Sequence, residues 1–173
     1  MKIEPLADRV ELILSDVDGV MTDGVVEFDN QGIETKQFHI RDGLGIKLWR
    51  RAGYRFAMVT GRSSHIVRMR AAELDVDILR QGVEDKLAVA EQIVAEARLT
   101  PQQVCFIGDD LPDLPAMRYV GFAVAVADGS EDVRRGAHYV TTTPGGRGAV
   151  RETIELILKT QGRWEDLIQK YRR

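Results

Sequence analysis

The chain has 173 residues, of which 44% are hydrophobic and 29% are charged, and its formal net charge is −3. This composition fits the core of one compact domain, and the acidic balance argues against partners such as nucleic acids or anionic membranes. No apolar run approaches the about 18 residues of a membrane span and no secretion leader is expected, so we predict a cytoplasmic protein.

Six short apolar runs are typical of buried strands in a parallel sheet. We predict strands, in chain order, at residues 10–14, 56–59, 77–79, 104–107, 121–126 and 139–141. Helical patterns alternate with these runs, most clearly in the apolar stripes over residues 87–97 and 150–158. The alternation predicts an α/β fold, a Rossmann-like parallel sheet with helices on both faces.

Residues 24–40 depart from this alternation. Residues 25–28 and 33–38 are rich in β-formers and flank the turn sequence Asp29-Asn-Gln-Gly32, which predicts a protruding β-hairpin. The hairpin and one helix fill the chain between the first two strands, which leaves no room there for a cap domain. We therefore expect a single domain over residues 1–173 with a helical tail at about 147–173, and an active site poorly covered by its own chain.

Polar and charged residues follow four of the predicted strands. These segments are Asp16-Val-Asp18, Thr60-Gly61, Lys86 at the start of a helix, and Gly108-Asp109-Asp110. Because open α/β sheets build their sites at the carboxyl ends of the strands, we expect these side chains to lie together. Each segment alone has an ordinary explanation as a turn or a helix end, but their joint order favours one functional site.

The aspartates have the chemistry of phosphate transfer. Asp16 and Asp109 offer hard oxygen ligands for Mg²⁺, and a carboxylate such as Asp16 can also attack phosphorus to form an aspartyl phosphate. Asp18 can protonate the leaving alcohol and then accept a proton from water, and its carbonyl oxygen can face the metal. Thr60 and Lys86 add a hydroxyl and a positive charge for the phosphoryl oxygens.

With these motifs, the chain resembles the haloacid dehalogenase superfamily of phosphohydrolases. Three further segments, Arg41-Asp-Gly43, Gln81-Gly82 and Pro144-Gly-Gly-Arg147, are similar to those of its capless phosphatases of 3-deoxy-D-manno-octulosonate 8-phosphate, which serve lipopolysaccharide biosynthesis. The resemblance implies Asp16 as nucleophile and Asp18 as acid/base. It also implies Mg²⁺ held by Asp16, the Asp18 carbonyl and Asp109, with Thr60 and Lys86 on the phosphoryl group.

The same resemblance implies the substrate contacts and the assembly. The implied substrate residues are His39, Ile40, Arg41, Asp42, Gly43, Lys47, Gly61, Arg62, Arg70 and Arg147. Arginine forks among them suit the carboxylate of a sugar acid. The family pattern further implies a homotetramer in which hairpins form a central barrel, each subunit covers a neighbour's site, and the segment around Arg147 reaches into the adjoining subunit.

Other functions stay open at this point. The first is a phosphatase for a nonulosonate 9-phosphate of the sialic-acid type, although such enzymes tend to carry an acidic residue after Thr-Gly, where this chain has Arg62. The second is a receiver-like signalling domain, which would not place Asp16 and Asp18 on one loop. The third is a non-catalytic oligomerisation module of the same family, against which the intact Lys86 and Asp109 argue.

Overall fold

The structure is a computed structural model that describes residues 2–172; residues 1 and 173, which the predicted domain and tail include, lie outside the described residues. The strands of the main sheet are β1 Leu12–Ser15, β4 Arg55–Val59, β5 Ile78–Arg80, β6 Val104–Gly108, β7 Phe122–Ala125 and β8 Tyr139–Val140. They are parallel and lie in the order β5-β4-β1-β6-β7-β8. All the predicted strands are therefore confirmed.

Helices cover both faces of this sheet. They are α1 Glu4–Ala7, α2 Ile40–Arg51, α3 His65–Glu73, α4 Lys86–Ala97, α5 Leu114–Tyr119, α6 Glu131–Gly136, α7 Ala149–Thr160 and α8 Trp164–Ile168. Side chains of α2, α3 and α7 pack on one face, and those of α4, α5 and α6 pack on the other. The predicted α/β class, with helices on both faces, is confirmed.

Burial on both faces explains why the strands appear as continuous apolar runs. In β1, Ile13 points into the core under α2 and α7, whereas Leu12 and Leu14 point into the core under α4 and α5. Both sets of side chains are fully buried. A strand covered on both sides needs apolar residues at every position rather than at every second one.

The predicted hairpin is present with a short ladder. Strands β2 Glu27–Phe28 and β3 Glu34–Thr35 are antiparallel, and Glu27 is opposite Thr35. Its turn is closed by Asp29, whose Oδ1 accepts from the backbone N–H groups of Gln31 and Ile33 at 2.8 Å. The flanking apolar residues Val25, Val26, Phe28 and Ile33 are exposed. Without a surface to pack against within the chain, the ladder ends earlier than their β-propensity predicts.

Helix α7 is the main element of the predicted C-terminal tail. Its apolar stripe, Val150, Ile154, Ile157 and Leu158, is fully buried, and it packs along α2. Trp164 of α8 covers the end of the same core. Within residues 2–172, no helix has both the length and the apolar character to cross a membrane.

Candidate active site

The sheet order brings the predicted catalytic segments to one edge. Asp16 follows the central strand β1, Thr60 follows β4 on one side of it, and Asp109 follows β6 on the other. The chain proceeds outward from β1 to β5 and then crosses back to β6, so the strand order reverses between β1 and β6. Crevices at such reversals are the usual ligand sites of open α/β sheets.

Lys86 is buried at the centre of this edge. It is the first residue of α4, which Asp85 caps by accepting from the Ala88 N–H at 3.1 Å. Its Nζ lies 2.9 Å from Oδ2 of Asp16 and 2.5 Å from Oδ1 of Asp113. A lysine at a helix start works against the helix dipole, and the two carboxylates compensate for that position.

Asp113 is a functional residue that the sequence analysis did not assign. Its Oδ1 accepts from Lys86, and its Oδ2 accepts from the backbone N–H groups of Asp109 and Asp110 at 2.9 and 3.3 Å. The side chain therefore orients the lysine and the loop after β6 together. The signal was the spacing in Gly108-Asp-Asp-Leu-Pro-Asp113, which returns the last carboxylate to the start of its own loop.

Negative charge exceeds positive charge among these buried groups. Burial and the charge of Asp113 raise the pKa of Asp16 above its ordinary value, and burial with the charges of Asp16 and Asp113 does the same to the pKa of Asp109. Burial lowers the pKa of Lys86, but the charges of Asp16 and Asp113 outweigh this and leave its pKa raised. Lys86 is thus held as a cation, and within residues 2–172 no second cation forms an ion pair with Asp16, Asp109 or Asp113.

The donor set fits a divalent cation with hard oxygen ligands. One oxygen each of Asp16, Asp109 and Asp113 lie within 4.8 Å of one another. The Oδ1 atoms of Asp16 and Asp109 are buried and accept no hydrogen bond from the described residues. Asp113 already uses both oxygens, so the free ligand atoms belong to Asp16 and Asp109. Unpartnered buried carboxylate oxygens at this spacing are what Mg²⁺ binds.

The loop after β1 presents Asp18 beside this cluster. Gly19 follows with φ +94°, and a Cβ there would lie 2.1 Å from Oδ2 of Asp109, so the loop passes too close for a side chain. The Oδ1 of Asp18 accepts from Lys36 of the hairpin, while its Oδ2 is buried, accepts no hydrogen bond from the described residues and lies 4.0 Å from Nε of Arg62. Asp18 therefore has one oxygen fixed by a hydrogen bond and one that only faces a guanidinium.

The glycine-rich segment before α7 supports the same loop. The Gly146 N–H donates to the Val20 carbonyl at 2.9 Å. A Cβ on Gly145 would lie 1.8 Å from the Gly19 carbonyl oxygen, so the two backbones are in direct contact. The Gly145 N–H donates in turn to Asp128 at 2.8 Å. The loop that carries Asp18 is thus held from the far end of the chain.

One pocket of about 410 Å³ collects the predicted catalytic residues. Its lining includes Asp16, Asp18, Thr60, Lys86 and Asp109, together with Gly61 and Arg62 from the predicted substrate set. The structure therefore assembles in one place the four segments that the sequence pointed to.

The other predicted substrate residues lie in two crevices beside α2. Ile40, Gly43, Lys47 and Arg70 line one of about 370 Å³, and Arg41 and Arg147 line another of about 680 Å³. His39 caps α2, its Nδ1 accepting from the Arg41 N–H at 3.3 Å. Within one subunit these residues are not brought to the catalytic pocket, and their contact with substrate stays a prediction.

Asp42 is buried between α2 and α7. Its side chain accepts from the Arg151 N–H at 2.7 Å and so caps the start of α7. Burial raises its pKa to about 6, against the hydrogen bond from Arg151 and the nearby charges of His39 and Arg70. In this structure the residue joins two helices, and the predicted substrate contact of Asp42 is untested.

Comparison with known proteins finds relatives that agree with one another in their described family and activity. Residues 39–121 match the family described as haloacid dehalogenase-like hydrolase. The chain is 45% identical over 159 residues to the 3-deoxy-D-manno-octulosonate 8-phosphate phosphatase of Yersinia pestis, covering 92% of this chain and 85% of that protein. The enzyme of the same description from Escherichia coli K12 is 40% identical over 160 residues, with the same coverage of 92% and 85%.

Solved structures agree with these sequence relatives. The crystal structure of the Moraxella catarrhalis 3-deoxy-D-manno-octulosonate 8-phosphate phosphatase, in complex with magnesium ion, phosphate ion and KDO, matches with a TM-score of 0.96 at 40% identity, covering 98% of this chain and 97% of that one. A probable yrbi family phosphatase from Pseudomonas syringae matches with a TM-score of 0.97 at 43% identity, covering 99% and 97%.

We predict that replacing Asp42 removes a pH dependence of stability. Because its pKa is higher in the folded chain than in the unfolded chain, Asp42 contributes stability below the unfolded value of 3.8 that is lost as pH rises through about 6. The Asp42→Asn variant cannot titrate, so its free energy of unfolding should increase relative to that of wild type by about 2 kcal/mol between about pH 4 and pH 7. Urea denaturation at intervals across this range measures the difference.

The matched control is Asp166→Asn, which changes an exposed carboxyl in the first turn of α8. The free energy of unfolding of Asp166→Asn should differ from that of wild type by the same amount at all of these pH values. A constant difference between wild type and Asp42→Asn would contradict the burial of a raised-pKa carboxyl at this contact.

Proposed function

We propose that this chain hydrolyses 3-deoxy-D-manno-octulosonate 8-phosphate to the free sugar acid and phosphate. The chain belongs to the 3-deoxy-D-manno-octulosonate 8-phosphate phosphatase family of haloacid dehalogenase-like hydrolases, and it is therefore a phosphoric monoester hydrolase. The observation that carries this proposal is the convergence of Asp16, Asp18, Lys86 and Asp109 in one pocket. The reaction belongs to lipopolysaccharide sugar biosynthesis. The cytoplasm is the proposed compartment, and the buried free thiol of Cys105 fits a reducing environment.

Asp16 is the proposed nucleophile. Lys86 holds its Oδ2 at 2.9 Å, which fixes the carboxylate against the phosphoryl site while its other oxygen stays free of protein partners in the described part of the chain. A carboxylate oxygen forms the new bond to phosphorus, and the bond from phosphorus to the sugar oxygen breaks, leaving an aspartyl phosphate. Water then attacks phosphorus and releases the Asp16 carboxylate with inorganic phosphate.

Asp18 is the proposed general acid and base. It gives its proton to the departing sugar oxygen in the first step and takes one from the attacking water in the second. The Oδ2 of Asp18, which accepts no hydrogen bond from the described residues, provides the site for that proton, since Oδ1 is held by Lys36. Placing nucleophile and acid two residues apart on one loop keeps both within reach of a single phosphate ester.

Lys86 and Thr60 bind the phosphoryl group on its other sides. Thr60 is buried at the end of β4, and its backbone is fixed by a hydrogen bond to the Arg80 carbonyl at 3.0 Å. Mg²⁺, held by Asp16, Asp109 and the Asp18 carbonyl, supplies charge neutralisation for the phosphoryl oxygens when bound. The fixed charge of Lys86 needs no reorganisation during the reaction.

The eight-carbon sugar acid is favoured by Arg62. This residue directly follows Thr60-Gly61 and lines the pocket, where its guanidinium lies 2.8 Å from Glu34. A planar arginine fork can bind a carboxylate bidentately, but both sugar acids carry one. The preference for the eight-carbon acid therefore rests on the family pattern, in which phosphatases of nine-carbon acids tend to carry an acidic residue at this position.

The proposed assembly is a homotetramer in which a neighbouring subunit covers the active site. The hairpin presents Val25, Val26, Phe28 and Ile33 to the outside of the subunit, and such a cluster of exposed apolar side chains marks an interaction surface. The substrate residues beside α2 lie outside the catalytic pocket of their own subunit. A neighbouring subunit can supply its own copies of these substrate residues to the catalytic pocket.

We predict Mg²⁺-dependent release of phosphate with a preference among sugar acids. The value of kcat/KM for 3-deoxy-D-manno-octulosonate 8-phosphate should exceed that for a nonulosonate 9-phosphate by about tenfold or more, because binding of the correct carboxylate and hydroxyls is differential. Activity should vanish with a chelator and return when Mg²⁺ is added. Side-by-side phosphate-release assays decide this, and a preference for the nine-carbon ester would overturn the substrate assignment.

Replacement of the nucleophile should stop turnover without unfolding the chain. Asp16→Asn keeps the shape of the side chain but cannot form an acyl phosphate, so kcat should fall by at least about a thousandfold. Phosphate release measures kcat, and far-UV circular dichroism checks the fold. The control Asp132→Asn, on the exposed surface of α6, should match wild type; wild-type turnover by Asp16→Asn would reject the mechanism.

Assembly should depend on the apolar surface of the hairpin. Light scattering coupled to gel filtration should give the mass of a tetramer for wild type. Phe28→Asp should give a smaller mass, because it places a charge in a contact that is buried between subunits of the proposed tetramer. Activity should fall with the loss of assembly. A monomeric wild type with full activity would show that no neighbour is needed to complete the site.

A further inference from the structure

The inner face of the hairpin carries two charged residues, Glu34 and Lys36, that have no assigned role in the proposed reaction. Glu34 lies in β3, and Lys36 directly follows the last residue of that strand. The two residues are two positions apart in extended backbone, so their side chains point to the same side. They point toward the catalytic pocket rather than to solvent. The Lys36 side chain is only 2% exposed, and that of Glu34 is 17% exposed.

These two side chains join the two loops that carry Asp18 and Arg62. Lys36 Nζ pairs with Oδ1 of Asp18 and lies 3.4 Å from Oε1 of Glu34. Glu34 Oε1 accepts from the Arg62 guanidinium at 2.8 Å, and its Oε2 accepts from the Ser64 hydroxyl at 2.9 Å. Charges alternate along this chain of contacts, two positive and two negative.

A buried lysine is costly unless its charge is paired, so this position has a specific purpose or partner. Here the partner is the proposed acid and base. The pairing occupies one oxygen of Asp18 and so fixes the rotation of the carboxylate. Its Oδ2, which accepts no hydrogen bond from the described residues and lies 4.0 Å from Nε of Arg62, is then the atom that faces substrate.

We propose that Lys36 is a positioning residue for Asp18, and that Glu34 places Arg62 in the same way, so that the hairpin sets the geometry of proton transfer in its own subunit. This inference rests on the proposed function, since it concerns the acid and base of that reaction. It gives the hairpin a second role beside its proposed contact with neighbouring subunits. Lys36 acts through Asp18 and does not itself touch the reacting atoms.

The experiment compares Lys36→Met, Lys36→Arg and the control Lys159→Met, which changes an exposed lysine of α7. Lys36→Met keeps the length of the side chain but removes its charge, so kcat on the sugar-acid phosphate should fall about 10- to 100-fold, part of the usual contribution of general acid–base catalysis. The KM should change by less than about threefold, because a positioning residue acts in the transition state. Lys36→Arg should recover most of the loss, and Lys159→Met should match wild type.

A second substrate separates positioning from a merely structural role. p-Nitrophenyl phosphate has a good leaving group that needs little protonation, so the deficit of Lys36→Met should be smaller on it than on the sugar ester. Light scattering and thermal melting on the same samples report assembly and fold. If Lys36→Met assembles poorly, Glu34→Gln tests the same face with the lysine in place: its KM for the sugar acid should rise, because Arg62 is no longer held.

An unchanged kcat in Lys36→Met, a rise in KM alone, or equal deficits on both substrates would overturn the proposal, and so would an unchanged KM in Glu34→Gln. Failure of the substrate assignment has a different signature. Wild type would then ignore the sugar-acid phosphates yet still cleave p-nitrophenyl phosphate, on which wild type and Lys36→Met would still be compared.

Discussion

Two buried carboxylates that share one lysine, with a third, half-buried carboxylate beside them, are the constraint on which the rest of this structure depends. Asp16 and Asp113 both contact Lys86, and Asp109 lies beside them with an oxygen that accepts no hydrogen bond from residues 2–172. Uncompensated charge at such depth is unfavourable, and the raised pKa of Asp109 expresses that cost. A bound cation would therefore stabilise the folded site by compensating the charge of these carboxylates. Cation binding contributes to the stability of the site as well as to its chemistry.

The sheet creates this crowding and also makes it useful. Adjacent parallel strands β1 and β6 end at the same level, so the groups that follow them cannot avoid each other. Asp113 is directed toward Lys86 by its own loop, and this keeps the lysine charged and still. On our proposals the hairpin completes the arrangement from outside, with apolar residues facing other subunits and charged residues facing Asp18. One short element would then serve both assembly and proton transfer.

The sequence predicted the sheet and the main site residues because both depend on local rules. Strands covered on two faces appear as apolar runs, and residues that follow such runs meet at one edge, which located Asp16 and Asp109. Roles that depend on contacts between distant segments were not predicted. Lys36 reaches Asp18 only when the hairpin folds back, and Asp42 caps α7 only because α2 and α7 pack together. No periodicity or motif within either segment reports such a contact.

The contact of Gly145 and Gly146 with the turn after Asp18 has a consequence for how the protein is made. The turn is synthesised before the glycine pair, which leaves the ribosome much later. A nascent chain that has emerged only as far as β7 already carries Asp16, Lys86 and Asp109, yet lacks the backbone that holds the Asp18 turn. Contacts of such long sequence separation form late in folding. The turn that carries Asp18 therefore gains this support only after residues 145–146 have been synthesised.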